Sequence, residues 1–370
     1  MKKVLFIHHS TGIGGASISL INLINGLDKK NYQSHVILLK ESDFCELLDL
    51  NGISYSISNC FFYKYLYVPF IHIVPSWFSI SNPIKAIYFI FSYLMSSTIF
   101  SARLLKNYEF DILHLNSLTL VDFLHKSTRY NSVIHVREPI ANGYFGLRKK
   151  IFEYKLNSYA DKVIAISKDN LDRINLIQDK GEVVYNWTSV IDKPSTFKVK
   201  YNVLYIGGGS IFKGFDFLLR TLPIIRNDIK IVCAGYYEEN QIELLSQFSN
   251  VEVVGLVSNV SDYMRNSDFL LNLFVEDHFA RPIIEAYANG ITVIATPLNG
   301  TVEIVENNID GYIINDFLPE TLANAIEYLL DFPGKIEFLR DNAYLKAKNL
   351  FSEKNVNKIE KIYASMELSD

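Results

Sequence analysis

Three carboxylates and a guanidinium fall within one short stretch: Glu276, Asp277, Arg281 and Glu285 in NLFVEDHFARPIIEAYANG. Such carboxylates can accept hydrogen bonds from sugar or ribose hydroxyls, and an arginine can meet an anion. The stretch begins where the apolar run from Asp268 to Phe274 stops, the pattern of a strand buried on both faces. Pro282 stands where a first helical residue would and Gly290 where a helix would end, which predicts a short helix over Ile283 to Asn289. Glu285 then lies on the first turn or so. Glu276 and Asp277 lie at the carboxyl end of the preceding strand, where open α/β sheets bind ligands. The helix start beside them would attract an anion. Taken singly, each residue reads first as part of a solvated acidic loop with a pairing arginine.

Three other loops join a strand to a helix and carry glycines. Thr11-Gly12-Ile13-Gly14-Gly15-Ala16 would let a phosphate or sugar approach the backbone. It is not a dinucleotide fingerprint, because Ser17 stands at the third glycine and Lys40 ends the second strand. A tight structural turn is the alternative. Tyr205 to Gly214 brings Gly207, Gly208, Gly209 and Lys213 together, and backbone N–H groups, a helix dipole and an ammonium suit a diphosphate. It does not match a P-loop, and Lys213 on a surface turn is the plainer reading. Thr296 to Thr301, with Gly300 and Thr301, reads as a third such loop, and Glu303 follows inside the next helix.

The elements that must position these residues alternate along the chain. Strands are predicted at Val4–Ile7, His35–Leu39, Asp111–Leu115, Ser132–Val136, Lys162–Ile166 and Glu182–Tyr185. Ala16 to Leu27 is helical, with Leu20, Ile21, Leu23, Ile24 and Leu27 on one stripe. Asn186 to Lys200 turns polar, contains Pro194, lacks periodicity and reads as a linker. The pattern then restarts at Asn202–Ile206, Ile229–Ala234, Val251–Val254, Phe269–Phe274 and Ile291–Ala295, with helices at Phe215–Leu222 and Thr321–Leu330. That alternation predicts an α/β chain of two Rossmann-like parallel-sheet domains in tandem, facing a cleft. At 370 residues, with 49% hydrophobic and 14% aromatic content, two domains are the natural expectation. A net charge of −4 argues against a nucleic-acid partner or a polybasic membrane binder. Three widely spaced cysteines fit neither a disulfide framework nor a zinc site. The start, MKKVLFIHHS, is too short in apolar residues for a signal-peptide core, so a cytoplasmic location is expected.

On these motifs the chain resembles a family 4 glycosyltransferase of the GT-B fold. The matches are the loop Gly207 to Gly214, the E-x7-E-like segment with Phe279 to Ala286, the loop at Gly300-Thr301 and the helix at Glu303-Ile304-Val305. In the first half they are Gly14-Gly15, the strand end at Ile166-Ser167 and Val184-Tyr185-Asn186. The resemblance implies a GT-B pair. On that resemblance residues 1–190 would form an acceptor-side domain, 191–351 a nucleotide-sugar donor domain, and 352–370 a helix returning to the first domain. It also implies retaining transfer of a sugar from a nucleotide-diphosphate donor to a hydroxyl of a glycan or lipid-linked acceptor, in surface polysaccharide synthesis, with no cofactor or metal. Lys213 would neutralise the diphosphate and Glu285 would hold the ribose hydroxyls. Gly14, Gly15, Gly208, Gly209, His278, Phe279, Ala280, Arg281, Gly300 and Thr301 would complete the donor site. The first carboxylate of the motif would bind the transferred sugar. The position eight before Glu285 is Asp277, with Glu276 one residue earlier, and either is a candidate. Where the family has an arginine after the loop glycine, this chain has Gly208; Arg281 or backbone amides would then serve the diphosphate. The family commonly has a histidine near His135-Val136-Arg137-Glu138, so His135 and Arg137 are joint candidates for touching the sugar or acceptor. A sugar-nucleotide epimerase of the same fold and a two-lobed sugar-binding protein remain alternatives.

The segment Phe61 to Phe100 holds thirteen aromatics, and Ile84 to Phe100 carries only Lys85 as a charge. Ser92, Ser96, Ser97 and Thr98 interrupt it. The expected order is a helix packed on the sheet or in a homodimer interface, then contact with the inner face of the cell membrane, then a spanning helix. Ser352 to Met366 reads as an amphipathic helix with Val356, Ile359, Ile362, Tyr363 and Met366 on one face, suited to the returning helix.

Overall fold

The computed structural model describes the chain apart from residues 10–11, 70–82, 128, 139, 141–145, 178, 193–197, 258, 278 and 367–370, and for 83–86 the backbone alone. It folds as two units, Met1–Tyr185 with Lys354–Asp370, and Asn186–Glu353.

The first unit is built on seven parallel strands: β1 (Lys2–His8), β2 (Tyr32–Leu38), β3 (Tyr55–Ile57), β4 (Ile112–Leu115), β5 (Asn131–Val136), β6 (Lys162–Ala165) and β7 (Gly181–Val183). They lie in the order β3-β2-β1-β4-β5-β6-β7. The inner strands are continuous apolar runs because helices cover both faces and no water reaches either side. Leu5, Ile7, Leu113, Leu115, Ile134 and Val136 point into one core with Phe62, Tyr63 and Phe123. The second unit repeats the plan with six strands: β8 (Asn202–Tyr205), β9 (Lys230–Ala234), β10 (Val251–Gly255), β11 (Phe269–Asn272), β12 (Thr292–Ala295) and β13 (Tyr312–Ile313). Their order is β10-β9-β8-β11-β12-β13, again all parallel. β3 and β13, three and two residues long at the outer edges, carry too few residues for a period-2 signal and escape sequence reading. The 18-residue helix Pro333–Leu350 is also absent from the sequence expectation.

In each sheet the order reverses beside the first strand, between β1 and β4 and between β8 and β11. Chain leaving such a pair diverges to opposite faces, so the strand ends there are left uncovered by crossovers, and ligands bind at that point. The first two glycine loops follow β1 and β8 and the acidic stretch follows β11, while the third glycine-bearing segment follows β12 next to it.

The helix Val356–Ser365 belongs to the first unit. Its predicted stripe is buried: Val356, Ile359, Ile362, Tyr363 and Met366. Lys2 Nζ donates to the carbonyls of Tyr363 and Met366 at 2.8 and 2.9 Å, supplying a cation at a helix C-terminus.

Candidate functional site

In the second unit three loops are tied to one another at the carboxyl ends of β8, β11 and β12. Val275 N–H donates to Phe212 O at 3.1 Å, which sets the acidic stretch beside the Lys213 loop. Thr296 N–H donates to Asn272 O at 3.2 Å and Thr296 Oγ1 to Phe274 O at 2.6 Å, which joins the loop after β12 to the same place. Asp277 completes the set, because its carboxylate accepts from Asn299 N at 3.1 Å and Asn299 Nδ2 at 3.0 Å. Glu276, one residue earlier, is exposed and makes no hydrogen bond among the described residues.

Lys213 lies in a 3₁₀ turn, Ile211–Lys213, held by Tyr205 Oη donating to Lys213 O at 3.1 Å. Lys213 lines a water-sized pocket together with Gly207, Asn272, Phe274 and Pro282. No carboxylate pairs with it among the described residues. Lys213 is exposed, yet enough protein lies around the ammonium that lost hydration lowers its pKa. Asn272, the last residue of β11, is 2 % exposed, and its Nδ2 has no hydrogen-bond partner among the described residues. Pro282 sits in the first turn of the eight-residue helix Arg281–Ala288. Lys213, Asn272 and the helix start at Pro282 thus line one small pocket, and an ammonium, an amide donor and a helix start each favour an anion. Asn272 is the site residue that motif reading passed over; a polar residue closing an otherwise apolar buried strand was the available signal.

Glu285 lies in that helix, where Arg281 Nε donates to Glu285 Oε1 at 2.6 Å. The pair is one helical turn apart, so Arg281 is committed at least in part to its own helix. Phe279 and Ala280 are buried and anchor the turn into it. His278 lies outside the described residues. Gly300 and Thr301 do not form a loop: the helix Asn299–Ile304 starts before them, and both are buried inside it. Thr301 Oγ1 is buried without a hydrogen-bond partner among the described residues.

Gly208 and Gly209 also depart from the expectation. Their amides are not held open for a ligand; Gly208 N–H donates to Ala234 O at 3.1 Å and Gly209 N–H to Tyr236 O at 2.8 Å. Glycine is required there by close packing. A Cβ on Gly208 would sit 2.5 Å from Tyr236 O, and its φ of +56° is in the left-handed region. The loop is built around glycine, which leaves no room for the family's arginine.

In the first unit, Gly14 precedes the helix Gly15–Gly26, which has neither a side-chain cap nor an acidic residue in its first turn. Both glycines are exposed, and a Cβ on Gly14 would meet nothing within 4 Å. This helix start, unlike the loop at Gly208, has uncapped amides among the described residues, which an anion can use. A buried polar chain backs it. Ser17 Oγ donates to Gly12 O at 3.1 Å and lies 3.2 Å from His8 Nε2. Asn116 Nδ2 lies 3.1 Å from His8 Nδ1, and Asn116 Oδ1 accepts from Arg137 Nε at 3.0 Å and Nη2 at 2.8 Å. Arg137 Nη2 is 3.4 Å from His135 Nδ1. His135 therefore does not face a ligand surface. It is 1 % exposed, beside His114, whose Nδ1 is 2.6 Å from Tyr363 Oη. Burial first, then the Arg137 charge, then His114, push the His135 pKa well below the usual histidine value. Burial and Arg137 likewise lower His8 and His114, each to about 3.

Two parallel sheets, each with loops at the point of strand reversal, define a two-domain α/β protein whose strand ends suit an anionic ligand. A model of "Glycosyltransferase Family 4" matches residues 13–190, and one of "Glycosyl transferases group 1" matches 200–331. The chain belongs to the GT-B glycosyltransferases of the family 4 type. It is 24 % identical over 234 residues to an uncharacterised glycosyltransferase of Methanocaldococcus jannaschii, covering 56 % of this chain and 60 % of that protein. It is 23 % identical over 266 residues to the capsular polysaccharide biosynthesis glycosyltransferase CapH of Staphylococcus aureus, covering 65 % of this chain and 75 % of CapH. Its fold matches HepE of Anabaena, solved with UDP and glucose, with a TM-score of 0.77 at 18 % identity over 99 % of this chain and 100 % of that one.

Proposed function

We propose that the protein transfers a sugar, with retention at the anomeric carbon, from a nucleotide-diphosphate donor to a hydroxyl of a glycan or lipid-linked acceptor. The observation that carries this reading is that Lys213, Asn272 and Pro282 at the start of the helix Arg281–Ala288 come together around one small pocket. The bond from the anomeric carbon to the diphosphate oxygen breaks as the acceptor oxygen bonds to that carbon, and the acceptor proton passes to the departing diphosphate. Negative charge grows on the leaving group, so donors already aimed at it lower the barrier without reorganising. Glu285, oriented by Arg281, accepts from the ribose hydroxyls. Asp277, braced on Asn299, takes the sugar-facing role, and the exposed Glu276 does not. The positive field comes from the protein, and no metal or cofactor has a part in the proposal. CapH's role in capsule synthesis and the UDP and glucose bound to HepE support a surface-polysaccharide setting and a uridine donor. Residence is proposed in the cytoplasm, and a lipid-linked acceptor would bring the enzyme to the inner face of the membrane.

Thermal shift with UDP and UDP-sugars tests the donor site. Lys213→Ala and Glu285→Ala are each expected to weaken donor binding by about tenfold to a hundredfold, the worth of a charge-assisted hydrogen bond in a sheltered site. If both variants keep the full ligand-induced shift, the assignment is wrong. Chelator should leave acceptor-dependent UDP release unchanged.

A further inference from the structure

The helix Pro83–Met95 runs through a π-helical turn, Ser96–Phe100, into Ser101–Leu105. Its amphipathicity is the reverse of a soluble core helix. The serines point inward: Ser92 Oγ accepts from Val68 N–H at 3.0 Å, Ser96 Oγ lies 3.0 Å from Tyr63 Oη, and Ser101 Oγ lies 2.6 Å from His125 Nε2. The large apolar side chains point out. Ile87, Ile90, Phe91 and Leu94 are 46 to 67 % exposed, and so, at 60 to 67 %, are Phe61 and Tyr65 on the short helix packed alongside. Tyr88 Oη donates to Leu66 O at 2.5 Å and joins the two. An apolar ridge of this kind is costly in water and marks a surface made to be covered.

The charges say what covers it. Between Asp49 and Glu109 the sequence has no carboxylate, and its charged residues are Lys64, Lys85, Arg103 and Lys106. Lys64, Arg103 and Lys106 are exposed. Exposed aromatic and aliphatic residues, cations before and after them in the sequence and no acid in that stretch fit a surface of anionic lipid; the acid that the helix does meet, Asp122, is buried beneath it. The stretch Ile87–Leu105 is long and apolar enough to cross a membrane by length and composition. Yet Phe89, Ser92, Ser96, Leu104 and Leu105 are packed inside the first unit, so spanning would require tearing the helix out of its fold.

We propose that this helix lies along an anionic bilayer surface, with Ile87, Ile90, Phe91 and Leu94 inserted among the acyl chains and Lys64, Arg103 and Lys106 at the headgroups. The proposal stands on the first unit alone and does not depend on the transfer reaction. Vesicle co-sedimentation of the full chain without substrate tests it. Wild type should pellet with phosphatidylglycerol vesicles, bind phosphatidylcholine vesicles less, and release as salt rises. A triple variant, Ile90→Ser, Phe91→Ser and Leu94→Ser, should lower partitioning by about tenfold or more while keeping the wild-type thermal transition, because these side chains are already exposed. Lys64→Glu with Arg103→Glu should remove the preference for anionic vesicles. The proposal is overturned if wild type stays in the supernatant with both lipids, or if the triple variant binds as well as wild type. It is equally overturned if the ridge instead seals a stable dimer that the triple variant splits.

Discussion

Replacing His114 with glutamine should make the first unit less sensitive to acid. His8 and His114 are buried in the native state with pKa values near 3, against about 6.5 in an unfolded chain. Because the folded values are depressed, protonation favours the unfolded chain. Stability is therefore intact above about 6.5 and falls progressively as pH drops toward 3. From pH 7 to 5 each histidine costs about 2 kcal/mol, at about 1.4 kcal/mol per unit of difference. Asp122 works the other way. Burial raises its pKa from 3.8 to about 6, so over the same interval the native carboxyl takes its proton first and gains about 1 kcal/mol. The three groups together lose about 3 kcal/mol, and His135 and His125, also lowered by burial, add to the loss. His114→Gln removes one titrating ring while keeping an amide near Tyr363 Oη. The loss between pH 7 and 5 should shrink by about 2 kcal/mol, whatever the change at pH 7. Denaturant unfolding of the first unit at both pH values measures the stability, and histidine Cε1–H resonances give the native midpoints. A His114 resonance that titrates near 6.5, or equal acid losses in variant and wild type, would refute the reasoning.

Asp277→Ala should lose the two bonds to Asn299, costing about 1–2 kcal/mol of stability, and should lower turnover by about a hundredfold, whereas Glu276→Ala should change turnover less than about threefold. Kinetics with the reverse ranking would move the sugar-facing role to Glu276. Gly208→Arg, which restores the family's residue, should not restore a diphosphate ligand. A left-handed backbone and the approach to Tyr236 O should cost at least about 2 kcal/mol, and a stable variant with tighter UDP binding would refute this.

Much of the fold was legible because its causes are local. Apolar runs such as Phe269–Asn272 and Val4–Ile7 announce strands buried on both faces, and Pro282 and Gly290 bracket a helix by their own backbone restrictions. The stripe from Val356 to Met366 revealed a helix needing a partner, since 3.6-residue spacing survives without knowledge of that partner. Lys213, Asp277 and Glu285 were legible as candidates from residue type and their place after strands.

What lay beyond the sequence depended on distant neighbours. His135 reads as a strand-end histidine, and only the fold makes it an interior residue, by setting it beside His114 of the neighbouring strand, which Tyr363 of the returning helix meets in turn. Gly208 reads as an open phosphate loop, and the backbone of Tyr236 closes it. Asp277 and Glu276 are equivalent in sequence, and Asn299, 22 positions on, distinguishes Asp277. The serines between Ser92 and Ser101 read as interruptions of an apolar helix, and the fold turns them inward onto Tyr63 and His125. Periodicity and backbone restriction are short-range properties of the chain. Burial, hydrogen-bond partnership and pKa are properties of what the folded chain brings alongside, and these decide which candidate can meet a ligand.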